Sequence, residues 1–210
     1  MTSRLITVIN AGMGNLGSVT NALEILGASY AVSARGEDLD EADAIILPGV
    51  GGFPAAMKNL RSLGLPDALR TQVVTERKPF LGICLGMQLL ARDSVELGQS
   101  TGLGWIDAHV ARLDPAGHLR IPHVGWNTVS PVRGHPLFHG IESSAHFYFD
   151  HSYHVVCPDD LISATCRYGG TLVAALQRDN ILATQFHPEK SQRNGLKVLR
   201  NFLNFVRDWG

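Results

Sequence analysis

Apolar positions along the chain keep two rhythms, with a change near residue 103. Before it, short apolar runs such as "RLITVIN" and "ADAIILPG" take turns with stretches that repeat every three to four residues, "NLGSVTNALEILG" and "AAMKNLRSLGLPDALRTQVV". Unbroken apolar runs suit strands covered on both faces and the longer periods suit helices, so the alternation predicts a mostly parallel sheet with helices on both sides. Beyond residue 103, "GWIDAHVARLD", "IPHVGWNTVSP", "HFYFDHSYHVV", "LISATCRYG", "TLVAALQRD" and "ILATQFHP" are short alternating runs separated by turn residues, as expected of antiparallel strands. The closing stretch "QRNGLKVLRNFLNFVRDW" sets Leu196, Leu199, Phe202, Leu203 and Val206 on one stripe and predicts an amphipathic helix. The fold class is therefore α/β, with an antiparallel C-terminal section.

One segment, "LGICLGMQLL", changes period around a thiol. The apolar run "KPFLGI" gives way to "GMQLLARDSVEL", where Met87, Leu89, Leu90 and Leu97 recur at helical spacing, so Cys84 sits on a strand-to-helix turn. Gly82 and Gly86 complete a G-x-C-x-G pattern, the cysteine counterpart of the nucleophile elbow, whose small residues permit the bend. A thiol before a helix faces free N–H groups and the positive dipole end, which favour thiolate. The plain alternative is a small buried hydrophobe, the common fate of free cysteine.

Composition narrows the setting. The 210 residues, 45% hydrophobic and 18% charged, suit one globular domain over 1–210 with no room for a second catalytic domain. A net charge of −1 offers no basic face for nucleic acid and no polybasic membrane anchor. No apolar run reaches membrane-span length and "MTSRLITVIN" reads as a first strand, so the expected location is the cytoplasm. Three cysteines without framework spacing agree with a reducing compartment, Cys157 and Cys166 being read as inert and buried.

A nucleophilic thiol needs a base. His109, His118, His135, His139, His146 and His154 fall in loops or alternating strands, where surface or satisfied polar roles are the default. His187 ends the apolar run "NILATQF" and is followed by "PEKS"; in an extended segment Glu189 shares its face and can fix one ring nitrogen while the other meets the cysteine. A metal is not indicated, since His-x-Glu alone supplies too few ligands for a closed zinc site. An oxyanion would be met by the N–H of Leu85 and by the "LPGVGGF" turn, whose Gly49, Gly51 and Gly52, with Val50, allow close backbone approach.

"PGVG", "GICLGMQLL" and "QFHPEKS", in this order, resemble the triad class of glutamine amidotransferase domains; "GMGNLGSV", "PHVGWN" and "FYFDHSY" resemble one branch, the glutaminase subunits of imidazole glycerol phosphate synthase. The resemblance spans the whole chain and implies a three-layer, flavodoxin-like fold. It implies hydrolysis of L-glutamine to glutamate and ammonia through a thioester, with Cys84 as nucleophile, His187 as base then acid, Glu189 orienting it, and no cofactor. It places glutamine at Gly51, Gln88, Ser152 and Tyr153, and a (β/α)8 cyclase subunit, forming a heterodimer, at Asn15, Trp126, Tyr148 and Lys190. The cyclase would take the ammonia in histidine biosynthesis.

Other readings stand beside this one. Asn10 and Ala11 before "GMGN", and Asp150 in "FYFDHSY", depart from the branch and fit a paralogue feeding ammonia to a sugar-amidinating synthase of surface-polysaccharide synthesis. Gly12, Gly14 and Gly17 spell G-x-G-x-x-G after the first strand, a dinucleotide fingerprint, with Arg35 suited to a 2′-phosphate. An α/β-hydrolase would place its acid before the histidine, whereas Glu189 follows His187. A non-catalytic module would have no use for the intact trio.

Overall fold

The computed structural model describes residues 4–114, 119–132 and 134–209. The first half alternates as its periods predict: β1 (Leu5–Ile9), α1 (Leu16–Ile25), β2 (Ser29–Ser33), β3 (Ala44–Gly49), α2 (Phe53–Ser62), α3 (Leu65–Arg70), β4 (Phe80–Cys84) and α4 (Leu85–Gln88). Short strands β5 (Asp93–Ser94) and β6 (Ser100–Thr101) precede β7 (His109–Arg112), β8 (His123–Pro131), β9 (His146–His151), β10 (Tyr153–Val156), β11 (Ile162–Arg167), β12 (Thr171–Arg178) and β13 (Ile181–Thr184), and α5 (Gln192–Asp208) closes the chain.

Nine strands form one sheet in the order β2-β1-β3-β4-β13-β12-β11-β8-β9, and a second sheet runs β10-β7-β5-β6. All residues of β3 and β4 are buried, which their unbroken apolar runs require of central strands. Helices α1 and α5 cover one face, where Val19, Leu23, Val198, Leu199, Phe202 and Val206 pack on Val8, Ile46 and Ile83. On the other face α2, α3 and the second sheet bring Phe53, Met57, Leu60, Leu69, Val110 and Val155 against Ile45, Leu47 and Phe80. The face of α5 that is fully buried centres on Val198, Leu199, Phe202 and Val206; Leu196 and Leu203 lie at its margin, half-buried.

Three elements differ from the sequence expectation. The helix expected through "AAMKNLRSLGLPDALRTQVV" is split at Gly64, whose φ of 66° ends one helix and starts the next. The last strand, β13, is not merely antiparallel: it pairs antiparallel with β12 but parallel with β4, with Thr184 opposite Ile83. The helix expected through Leu97 stops at Gln88. The carbonyls it would need are taken from outside, by the amides of Leu103 on Leu89, Trp105 and Ile106 on Leu90, and Gly104 on Ala91. Leu97 is then 90% exposed.

Because β3, β4 and β13 run parallel and in register, Gly49 opposite Cys84, their carboxyl ends meet at one edge of the sheet. That edge is where ligands enter open α/β sheets.

Candidate active site

β4 ends on Cys84, whose φ of 54° and ψ of −106° bend the chain sharply into α4. A non-glycine residue held at positive φ stores on the order of 1–3 kcal/mol of strain, maintained by the surrounding packing. The two flanking glycines make the bend possible. A Cβ on Gly86 would lie 1.9 Å from the Leu47 carbonyl oxygen of β3, and one on Gly82 would lie 2.8 Å from the Gly86 carbonyl oxygen. With α4 only one turn long, the macrodipole expected to favour thiolate is small.

The chain leaving β13 delivers the partner groups. Gln185 donates from Nε2 to the Cys84 sulfur at 3.6 Å, and His187 follows two residues later, near enough for that sulfur to act on its pKa. The turn around His187 is fastened to β9: its N–H donates to the Tyr148 carbonyl at 2.9 Å, while the Ser191 hydroxyl donates to the His187 carbonyl at 2.6 Å and accepts from the Tyr148 N–H at 2.9 Å. His187 Nδ1 meets Glu189 Oε1 at 2.7 Å, with both side chains buried. The contact is the one expected, but the extended segment invoked for it is absent: Pro188–Lys190 is a 3-10 turn, favoured by proline at its first position. Burial opposes charge on His187, yet the adjacent Cys84 sulfur and Glu189 carboxylate outweigh it and raise its pKa to about 10. Cys157 is only half-buried, not buried as expected, yet burial, joined by Asp159 and Asp160, pushes its thiol up to about 11, and burial alone pushes Cys166 to about 12, so both stay protonated.

Cys84 opens onto a cavity of about 250 Å³ lined by Val50, Gly51, Leu85, Gln88, Ser152 and Tyr153, so the expected oxyanion and glutamine positions border one space, Gly49 and Gly52 of the turn excepted. Gly51 there has a φ of 101°. Gln88 is buried and spends its amide protons on the Tyr153 carbonyl (2.9 Å) and Gln185 Oε1 (3.1 Å). Glu96, Pro122 and His151 also line the cavity and were missed from sequence; Asp150, read from sequence only as a departure bearing on the partner, lines it too. Glu96, at the end of a presumed helix, accepts the Phe53 N–H at the start of α2 (2.7 Å). For His151 and its neighbour His123 the sequence held only their inward places on alternating strands; the β8–β9 register sets them opposite each other.

Of the remaining histidines, His109 pairs with Asp93 at 2.8 Å on the surface, and His135 and His146 bond Gln177 and Thr128. His154 has a buried, partnerless Nδ1, and His118 lies outside the described residues.

Trp126, Tyr148 and Lys190 form one patch: the two aromatic rings are 6.1 Å apart, and the Lys190 ammonium lies 5.7 Å from the Tyr148 ring. Trp126 is 48% exposed, which rules out core packing. Gly125 takes a φ of 129° within a continuous β8. Asn15 caps α1 by accepting the Ser18 N–H, and α1 packs against the Pro188–Lys190 turn. Arg35, suited to a 2′-phosphate, is already paired with Glu37 and Asp38.

An elbow thiol beside a histidine–carboxylate pair, at the carboxyl edge of a mostly parallel sheet, sets the class, and residues 7–205 match the family described as glutamine amidotransferase class-I; the chain belongs to this family. Within it, the chain is 48% identical to the imidazole glycerol phosphate synthase subunit HisH 1 of Campylobacter jejuni, over 95% of this chain and 99% of that protein. It is 46% identical to the imidazole glycerol phosphate synthase subunit HisH 2 of Pseudomonas aeruginosa, over 96% and 100%. A solved glutamine amidotransferase of Thermotoga maritima superposes with a TM-score of 0.72 over 99% of this chain and 100% of that one; at 18% identity that likeness speaks for the fold.

Proposed function

We propose that residues 1–210 form one glutaminase domain acting in the cytoplasm as the glutaminase subunit of imidazole glycerol phosphate synthase, with Cys84, His187 and Glu189 as its catalytic residues. The observation that carries the chemistry is a strained elbow thiol at the floor of a cavity sized for one amino acid, hydrogen-bonded by Gln185 and lying beside the buried His187–Glu189 pair. The relatives' names carry the pathway.

The raised pKa of His187 suits the ring to take the thiol proton as the sulfur becomes the nucleophile. The thiolate attacks the side-chain amide carbon of glutamine, forming a C–S bond, and the carbonyl oxygen takes negative charge where the Leu85 N–H and the Val50–Gly51 segment can meet it. Collapse breaks the C–N bond, and the imidazolium gives its proton to the departing ammonia. A water then adds to the thioester, losing its proton to the neutral ring, and glutamate leaves with the thiolate restored. Glu189 holds the ring through Nδ1 throughout. Gly51, Gln88, Ser152 and Tyr153 hold the substrate, and no cofactor takes part.

Ammonia needs an acceptor enzyme. The Trp126–Tyr148–Lys190 patch, with Asn15 on the neighbouring helix, supports docking of a cyclase subunit as a heterodimer, since an exposed tryptophan flanked by a tyrosine and a cation has the composition of an interface anchor. The pairing of Arg35 with Glu37 and Asp38 argues against a nicotinamide dinucleotide at Gly12, Gly14 and Gly17.

The test has two arms. An electrophilic glutamine analogue is expected to label Cys84 once, and Cys84→Ala to abolish glutamate release; labelling of Cys157 or Cys166 instead would overturn the site. Mixing the chain with a histidine-pathway cyclase and its nucleotide ligand is expected to accelerate glutamate release. No acceleration, with restoration by Asp150→Val, would reassign the chain to a sugar-amidinating synthase.

A further inference from the structure

Two buried histidines beside the cavity, His123 and His151, have no part in the chemistry above. His151 Nδ1 lies 2.8 Å from the Tyr153 carbonyl oxygen, which can only accept, so Nδ1 carries the proton. Burial holds His151 neutral, leaving Nε2 as an acceptor, and the atom 2.9 Å from it is His123 Nδ1, which therefore donates. His123, neutral for the same reason, accepts at Nε2 from the Asn127 amide at 3.2 Å, and that amide also donates to the Arg167 carbonyl. Hydrogen bonds thus run in one direction, from Asn127 through both imidazoles to the Tyr153 carbonyl, and each ring is fixed in its Nδ1–H tautomer.

The far end of this chain is a cavity wall. The Tyr153 carbonyl also accepts from Gln88 Nε2, and the preceding Ser152 carbonyl accepts the Leu113 N–H at 2.9 Å. His123 is clamped between the rings of Phe149 (4.7 Å) and Tyr168 (4.0 Å), so the donor to His151 cannot swing. An apolar pair would fill the same volume without the cost of burying two imidazoles, so the polar pair is expected to do something that packing alone does not.

We propose that His151, held in one tautomer by His123, is a positioning residue for glutamine: its Nδ1–H fixes the Tyr153 carbonyl and so sets the Ser152–Tyr153 wall against which the substrate lies. This rests on the glutaminase reading above. His151 acts on binding, because the segment it holds faces the substrate cavity and not the bond that breaks.

The test measures glutamine hydrolysis by the chain in complex with its cyclase. His151→Phe is expected to raise the KM for glutamine about tenfold, as loss of one neutral hydrogen bond would, with kcat within about twofold. His151→Asn, which places an amide N–H near the Nδ1 position, is expected to restore most of the KM. His123→Phe should raise KM less and add nothing to His151→Phe, since it acts through that residue. Ring ¹⁵N spectra of the unmutated protein should show the Nδ1–H tautomer at both histidines. An Nε2–H tautomer at His151, or a KM indifferent to these changes in a chain that hydrolyses glutamine, would overturn the inference alone; a wild-type complex with no glutaminase activity would overturn the glutaminase reading with it. Should His151→Phe fail to fold, His151→Asn, His123→Phe and the spectra decide.

Discussion

Mild acid is expected to weaken this fold through its buried imidazoles. His123 and His151 are 3% and 6% exposed, and burial holds their pKa values at about 4 and about 3, against 6.5 in the unfolded chain. Their folded values are depressed, so as pH falls below 6.5 the unfolded state binds two protons that the native state refuses, and stability drops until the folded values are reached. With about 1.4 kcal/mol per pKa unit, the fall from pH 6.5 to 5 removes about 1.5 kcal/mol per ring and about 3 kcal/mol for both, a large share of the ~5–15 kcal/mol of an ordinary domain. His154, also lowered by burial, acts in the same direction. His187 does not offset this: its folded value is raised, so its contribution is fully present below 6.5 and is lost only as pH rises from there towards 10. Urea unfolding followed by tryptophan fluorescence at the two pH values should show the midpoint falling by about 1–3 M. His123→Gln with His151→Gln should flatten that dependence, whatever it does to stability at neutral pH. A wild-type midpoint that holds steady, or an equal fall in the double variant, refutes the reasoning.

Three further outcomes follow from named contacts. Gly86→Ala, which drives a methyl to 1.9 Å from the Leu47 carbonyl oxygen, should cost at least about 3 kcal/mol or prevent recovery of folded protein, read by thermal melting. Glu189→Gln should lower glutamine turnover by about 10²–10⁴-fold yet leave more activity than His187→Ala, because it loosens the base without removing it. Trp126→Ala should weaken cyclase affinity by about 10-fold or more, measured by calorimetry, while Leu97→Glu, at an exposed position away from that patch, should change neither affinity nor stability by more than about 0.5 kcal/mol.

Period and composition carried most of the architecture, because the unbroken runs of β3 and β4 and the stripes of α1 and α5 each have one physical reading. What they could not carry was competition for backbone groups. "GMQLLARDSVEL" keeps a helical spacing as far as Leu97, yet the amides of residues 103–106 capture the carbonyls of Leu89, Leu90 and Ala91, and no local pattern announces a partner that arrives from downstream. Nor does alternation tell a central strand from an edge one, so the parallel face of β13 against β4 was invisible. At the site, Cys84 and His187 stood out because glycines and proline mark sharp turns. Glu96 and the His123–His151 pair carry no such mark, and only the β8–β9 register sets the two histidines face to face.

The placement of β13 fixes when the elbow thiol can meet its neighbours. Gln185 and Cys84 touch across 101 positions of sequence, and the strand that brings the histidine turn to the sulfur slots between β4 and β12 rather than adding at a rim. At ordinary elongation rates roughly 5–20 s separate emergence of the elbow from emergence of His187. A growing chain on the ribosome therefore carries an elbow cysteine whose neighbours Gln185 and His187 have yet to be made.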